Sequence, residues 1–261
     1  MSNPAAVDGT KVLLGSGKLY FDRFDANGVT SGERFLGDCE KLELTSEDDI
    51  IELFSSADHD RGLIATANRK RTVTLAVQMR EFDKENCALS MMGDTSPLVQ
   101  TSATVTDEPI KSCLGDRYIR LSKRDITSIT NVKKGATVYV NNTDYSATAA
   151  DLVQGRIYVI PGGAIDALTH PDSLTCTYVS ATITRQRIRG ATASTIIGYL
   201  RYEADNSVGK NKDLEAWRVQ VNPDTAVALI GQDWGELTFK GKVLNDAANH
   251  STEPYYRLIE R

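Results

Sequence analysis

The chain holds little of what catalytic and metal sites are usually made from: three histidines, four cysteines and two tryptophans in 261 residues. His59, His170 and His250 are scattered, each in a turn-like context, so solvated loop histidines are the expectation. Asp58-His59-Asp60 offers donors to a divalent cation, but a metal site needs three or four converging ligands. Cys39, Cys87, Cys113 and Cys176 are far apart and form no C-x-x-C pair. That dispersal predicts reduced, buried thiols in a protein made in the cytoplasm, with no disulfide framework. No apolar run nears the ~20 residues that span a bilayer, so no membrane binding is expected. The opening MSNPAAVDGT has neither the basic nor the apolar region of a leader, and residues 1–10 read as a flexible arm. The net charge of −5 argues against a dominant basic surface gripping nucleic acid.

Two stretches resemble site motifs and then fail. Gly15-Ser-Gly17-Lys18 lacks the spacing of a phosphate loop and is followed by a strand pattern where a helix is needed. Asp22 to Gly28 lacks the alternating ligands and distal Glu of a calcium loop, and Asn27-Gly28 makes it a hairpin turn. No catalytic, metal-binding or cofactor-binding residue is therefore expected, and no cofactor.

What the sequence does have is strand. In RTVTLAVQM, Val73, Leu75, Val77 and Met79 point one way and Thr72, Thr74, Ala76 and Gln78 the other, which is the period of a strand with one buried face. The period then changes. Asp83 is placed to N-cap KENCALSMM, Phe82 and Cys87 occupy hydrophobic-staple positions, and Gly93 stands where a left-handed C-cap is wanted. Cys87 with Met91, and Ala88 with Met92, form an apolar stripe that needs a sheet beneath it. Val73, Leu75, Val77, Met79 and Met91 are the expected core.

Elsewhere KLYFDRF and ERFLGDCEKLELT read as strands on either side of the Asp25–Gly28 turn. From Pro97 to Ala181 short strands (YIRLS, ITSITNV, ATVYV, GRIYVI, SLTCTYVSA) alternate with turn signals, as in an inserted β-module or an enlargement of the main sandwich. TITRQRIRG, TIIGYLRYE, LEAWRVQV and WGELTFKGKVL return to longer strands, and the tail 247–261 reads as an extended arm. Residues 1–96 and 182–261 are thus one β-domain, with 97–181 inserted. Arg185, Arg187 and Arg189 share one strand face, where carboxylates of an adjacent strand or subunit are the expected partners.

Residues 46–70 stand apart. They are too long for a tight turn and too apolar for plain disorder. Acidic residues (Asp48, Asp49, Asp58) come first and basic ones (Arg61, Arg69, Arg71) after. Two readings stay open: a protruding loop that docks on another copy, or a helix over 46–54 capped by Ser46 and folded onto its own domain.

Taken in order, these pieces resemble the major tail tube proteins of long-tailed, non-contractile bacteriophages. The resemblance runs over residues 11–245 and lies in a succession. LGSGKLYF opens the first strand, and FLGDCEKLEL precedes a loop with Phe54-Ser55-Ser56. RKRTVTLAVQMREFDKENCALSMMG follows, then DYSATAADLVQGRIYVIPGGAI and LTCTYVSA, and last IIGYLRYEADNSVGK and LIGQDWGELTFKGKVL. It implies a mainly β chain: a tail-tube-type β-sandwich or barrel flanked by one short α-helix, with an inserted β-rich module. It further implies rings of six subunits stacked into a hollow tube in the virion tail. Its partners would be other copies of itself, a tape measure protein, a tail terminator and tail-tip or baseplate proteins. Phage DNA would pass through the lumen without being specifically bound. A ring of six copies would carry roughly −30, which suits passage of a polyanion.

The resemblance also favours the docking reading of residues 46–70. Asp48, Asp49, Ile50, Ile51, Leu53, Phe54, Asp58, Arg61 and Leu63 become the expected inter-ring contact, with Ile50, Ile51, Leu53 and Phe54 as anchors and Asp48, Asp49 and Arg61 setting register. Arg185, Arg187 and Arg189 become expected inter-subunit charges. The inner tube of a contractile tail, a tailocin or a type VI secretion apparatus is the nearby alternative, although those subunits are shorter and lack the module. A surface β-sandwich adhesin is the alternative of a different class, against which the absent leader and dispersed cysteines count.

Overall fold

The computed structural model describes residues 12–57, 59–224 and 226–261; the expected N-terminal arm and Asp58 lie outside them. The chain opens with β1 (Gly17–Arg23), β2 (Arg34–Phe35), β3 (Cys39–Phe54) and β4 (Leu63–Met79), then α1 (Lys84–Ser90) and β5 (Asp94–Gln100). Next come β6 (Ala103–Lys111), β7 (Arg117–Arg120), β8 (Ile126–Lys134), β9 (Thr137–Tyr139), β10 (Tyr145–Ser146), α2 (Ala149–Gln154), β11 (Arg156–Val159), β12 (Ser173–Ser180) and β13 (Ile183–Arg189). The last elements are β14 (Ile196–Ala204), β15 (Lys212–Pro223), β16 (Leu237–Val243) and β17 (Tyr256–Glu260). The protein is mainly β, as its alternating patterns predict.

Two compact units form. The first comprises the chain up to Ser96 together with Ile188–Arg261, and the second is Pro97–Arg187. The expected insertion therefore starts where its composition changes and ends six residues later than the sequence suggests. The cause is β13, which pairs with β5 and so carries the strand pattern past residue 181.

In the first unit one sheet runs β2-β1-β14-β15-β16-β4-β3, with β17 beside the first half of β15. Its inner face carries Leu19, Phe21, Val73, Leu75, Val77, Met79, Leu200, Val219, Val221, Leu237 and Phe239, all buried. The sheet curls over that face. Phe21 and Phe239 lie three strands apart, about 14 Å at ordinary strand spacing, yet their rings approach to 6.4 Å. Glycine makes the room: a Cβ on Gly198 would fall 2.4 Å from the Phe21 ring, and one on Gly241 2.4 Å from Val219 Cγ1. Among the described residues β2 and β3 end the order without pairing to each other, so the expected sandwich or barrel is an open, curled sheet within one chain.

The helix α1 covers part of the inner face with Cys87, Ala88 and Leu89. Its start matches the sequence: Asp83 accepts the Asn86 N–H at 2.5 Å. Arg34 locks that end by reaching Asp83 at 3.0 Å, Glu85 at 2.9 Å and Asn86 Oδ1 at 2.6 Å. Its end differs. Gly93 donates to Ala88 O at 2.7 Å and Met92 to Leu89 O at 3.3 Å, the paired bonds that close a helix through a left-handed residue. That residue is Met92 (φ 49), and Gly93 does not supply the positive φ. Gly93 is needed for closeness, since a Cβ there would sit 2.2 Å from Arg189 O. Met91 caps the helix half-buried, and it is Met92 rather than the expected Met91 that packs against the core.

The second unit has sheets β10-β11-β7 and β6-β12-β8-β9 over its own core, which includes Ile119, Val132, Ile157, Val159, Leu174, Cys176 and Tyr178. Its short helix α2 has no counterpart in the sequence reading. Thr148 accepts the Asp151 N–H at 3.2 Å, and Gly155 ends the helix at φ 69. The tail is docked as well: β17 pairs with β15 from Lys212↔Glu260 to Ala216↔Tyr256, in place of the expected extended arm.

Candidate functional site

Residues 46–70 are neither a loop nor a helix. They are the outer parts of β3 and β4, joined by a turn in which Ser55 donates to Gly62 O at 2.8 Å. Leu63, Ala65 and Ala67 alternate again on β4, beyond Arg71 and the irregularity at Arg69, and the cross-strand pairing selects strand over the capped helix. Charge agrees with this register. Arg71 grips Asp48 with two hydrogen bonds of 2.8 and 2.9 Å, and Arg69 holds Asp49 at 2.5 and 2.9 Å. Asp48 and Asp49 are thus occupied within the hairpin and do not reach outward to set register with a neighbour. Arg71 holds the Asp48 carboxyl below its ordinary range, through those hydrogen bonds first and its charge second.

Cross-strand partners share a face, so the register sorts the side chains of the outer hairpin. Ile51 stands opposite Ala67, Leu53 opposite Ala65 and Phe54 opposite Leu63, with an irregularity between Leu53 and Phe54. The irregularities skip Arg69 and Ile64 of β4 while β3 runs without a break, so one face carries Ile51, Leu53, Ala65 and Ala67. The other carries Ile50, Phe54 and Leu63 beside Glu52, Thr66 and Asn68, which makes the outer hairpin a ribbon with apolar side chains on both faces. Along β3 the side that holds Leu42 and Leu44, partners of Val77 and Leu75, continues to Ile50 and Phe54, whereas Ile51 and Leu53 lie on the opposite side. β16 stops pairing with β4 at Val73, and among the described residues only the two arms pair with each other past that point. Leu53 is 59% exposed, Phe54 51%, Leu63 52% and Ile51 50%.

The arginine row resolves differently. Arg185 pairs with Asp125 at 2.7 Å, and Arg189 pairs with Asp94 of the adjacent β5. Arg187 also has a partner. Arg189 thus finds the adjacent-strand carboxylate that was one of its two expected partners, and Arg185 is likewise paired within the chain, so neither stands as an unpaired charge offered to another subunit.

The histidines divide. His59 is exposed, in ion-pair range of Asp60 at 3.4 Å. His250 stacks on Trp217 at 3.8 Å with an interplanar angle of 1° and reaches Asp246 at 2.9 Å, so it belongs to a packed surface cluster. His170 Nδ1 lies 2.9 Å from Ser112 Oγ, and its Nε2 3.0 Å from Asp166 O. A hydroxyl beside an imidazole is the geometry of an activated nucleophile. Ser112, however, is 3% exposed, and its oxygen accepts the Asp172 N–H at 2.8 Å, so the pair fastens a buried turn. Neither His170 nor His250 is the solvated loop residue that the sequence suggests.

All four cysteines are free, Cys87 and Cys176 buried and the other two half-buried. Burial pushes the Cys176 thiol up to about 12 and the Cys39 thiol to about 11. Among the described residues no group of three or more His, Cys, Asp or Glu side chains converges as a metal site. A 220 Å³ cavity near α1 is lined by Arg23 and Arg34. Both guanidiniums are engaged there, Arg23 with Gly93 O at 3.0 Å and Arg34 with the helix start.

The sequence reading overlooked one surface. Between β15 and β16, Leu229, Ile230 and Trp234 are 78, 96 and 93% exposed. Trp234 was expected to open a strand, but β16 begins only at Leu237. The signal was present as an apolar stretch, AVALI, between Pro223 and Gly231 where a polar turn would ordinarily stand.

Fold and surface together define a strand-rich chain of two compact units whose most prominent feature is an uncovered apolar hairpin. The chain belongs to a family described as protein of unknown function UCP028589, whose model matches residues 12–257. No curated protein matches it.

Proposed function

We propose that this protein is a structural subunit that assembles with copies of itself into a hollow tube: the tail tube of a non-contractile phage, through which DNA passes into the host. No enzymatic step is part of this role. The observation that carries the reading is the uncovered ribbon, with Ile51, Leu53, Ala65 and Ala67 on one face and Ile50, Phe54 and Leu63 on the other. A two-stranded ribbon open to water on both faces is marginal by itself, and an exposed apolar patch of this continuity marks an interaction surface. A second feature supports self-association in particular. The outer edge of β3, sixteen residues long, has no partner strand among the described residues. Such an edge is a template for pairing with another chain.

In this reading α1 covers part of the inner face and the opposite face is left for the lumen. That face carries Thr45, Thr72, Thr74, Gln78, Gln220 and Asn222. Its Lys41 is paired to Glu43 at 2.9 Å and its Lys240 to Asp224 at 2.6 Å. Lys242 joins them beside Thr74; with two of these three lysines paired the wall holds DNA weakly, because retention scales with the number of phosphates neutralised. Terminator and tip or baseplate proteins would then cap the two ends, with a tape measure protein as a further partner.

Electron microscopy of the purified chain over a range of concentrations, with and without a tail-initiating complex, tests the proposal. Tubes of uniform width without a sheath are expected. Isolated monomers at every concentration, in both conditions, would overturn it.

A further inference from the structure

We propose that the loop between β15 and β16, residues 226–236, is the socket that receives the hairpin ribbon of a second copy of this chain, end to end. The inference rests on the self-assembly reading above and names the surface that the ribbon meets. The loop holds the most exposed large apolar side chains of the described chain, Ile230 and Trp234. Beside Trp234 runs a groove of 570 Å³ lined by Phe82, Ala226, Ala228 and Leu229, with Asp233 and Glu236 on its polar side. Gly235 lets the Phe82 ring lie against the loop backbone, where a Cβ would come within 2.8 Å of that ring. Phe82 itself is 41% exposed, so the groove keeps an apolar wall open to an incoming side chain.

Topology supplies the polarity. Leu237, the first residue after the loop in β16, pairs with Met79 at the end of β4, whereas the ribbon lies at the start of β4 around Leu63. Ribbon and loop are thus at opposite ends of the same strand, separated by roughly 50 Å of extended chain. A second copy displaced along that strand direction brings its ribbon to the first copy's loop. The contact is heterologous, and a heterologous contact that does not close on itself propagates as an open stack. Ribbon against ribbon, by contrast, would make a closed pair and stop.

Charge fits the same partner. Arg61 stands in the hairpin turn, held at φ 44, and Asp233 stands beside Trp234. Among the described residues neither has an ion-pair partner, although Asp48 and Asp49 on the same hairpin are both engaged. Head-to-tail docking brings these two opposite charges to one interface, where they fix orientation more than they add affinity.

Mixing two defective subunits tests the socket. A ribbon variant (Leu53→Asp with Phe54→Asp) and a loop variant (Ile230→Asp with Trp234→Asp) are each checked for native circular dichroism, then examined by sedimentation velocity and microscopy. Each alone is expected to lose axial growth. Mixed in equal amounts they should form stacks of two layers and no more, because one intact ribbon meets one intact socket. In a second arm, Arg61→Asp or Asp233→Arg alone should raise the critical concentration by about three- to tenfold, and both together should restore it. A loop variant that stacks like the unaltered protein would overturn the socket while leaving self-assembly standing. Two-layer pairs formed by the loop variant alone would show ribbon-to-ribbon contact and also overturn it. An unaltered chain that never assembles would remove both the socket and the reading beneath it.

Discussion

Replacing Leu53 and Phe54 with aspartate separates the subunit's own stability from its assembly. Both side chains are about half exposed in the single chain, and both lie on the ribbon beyond the last β16 partner. The buried set beneath the sheet, Val73, Leu75, Val77 and Met79 among it, is untouched. Folding free energy should therefore change by less than about 1 kcal/mol, within the span of strand propensities. Docking is another matter. Burying a full Leu or Phe side chain is worth about 1.5–3 kcal/mol, so covering the exposed halves of both contributes about 2 kcal/mol per contact. At 1.4 kcal/mol per factor of ten, removing it weakens each contact about thirtyfold. Placing two carboxylates in the closed contact adds a desolvation penalty on top. The assay is the critical concentration for pelleting, read beside a thermal melt of the dissociated subunit. An unchanged melt with a critical concentration raised at least thirtyfold is expected. Normal-length tubes at the unaltered protein's concentration would refute the reasoning, and so would a collapsed melt, which would make these residues part of the core.

Three further perturbations probe the parts separately. Gly93→Ala should destabilise the first unit by about 1–3 kcal/mol in a denaturant titration, because its methyl group meets the Arg189 carbonyl at 2.2 Å. Asp48 should titrate below its ordinary 3.8 in a carboxyl-carbon NMR experiment, since hydrogen bonds from Arg71 favour the carboxylate. Its folded value is depressed, so the clasp contributes above pH 3.8 and is lost only as the pH falls through the lower folded value; Arg71→Ala should move the titration back towards 3.8. Cys176, with its thiol pushed up to about 12 by burial, should react with a thiol reagent at pH 8 about a thousandfold more slowly than a free cysteine until denaturant is added.

The parts that were legible in the sequence share one property: the signal was local and the cause of burial lay nearby. Val73, Leu75, Val77 and Met79 alternate over a short span and are buried under the sheet's own curl. Asp83 is a cap that needs only the next three residues. The insertion boundary at Ser96–Pro97 follows a change in composition. Long-range geometry was not legible. Glycine at a helix end is usually the left-handed residue, so Gly93 is the expectation there. The reason for that glycine, the Arg189 carbonyl, comes from 96 positions away. Met92 takes the left-handed turn and leaves no mark of it in sequence. The six-residue α2 is too short for a helical period to emerge, so only Thr148 and Gly155 announce it.

The hairpin is the instructive case. Its apolar alternation (Leu63, Ala65, Ala67) and its opposed charges (Asp48 with Arg71, Asp49 with Arg69) were all present in the sequence. Ile50-Ile51 and Leu53-Phe54 are adjacent pairs, and they blur the alternation on β3. The register irregularities beside them skip Arg69 and Ile64 on β4 and leave each adjacent pair split between the two faces, a placement that shows only once the strands are paired. A surface such as the 226–236 loop is harder still to read. Nothing in one sequence separates an apolar residue meant for its own core from one meant for a neighbour.

Hydrogen–deuterium exchange across the hairpin, compared between dissociated subunits and assembled material, addresses the central claim most directly. Amides of residues 50–54 and 63–67 should exchange rapidly in the free subunit, where the ribbon lacks cover. On assembly they should slow at least tenfold, while the amides of Val73, Leu75 and Val77 are slow in both states. Equal, rapid exchange of the hairpin in both states would contradict the account, because the ribbon would then remain uncovered in the assembly it is proposed to build.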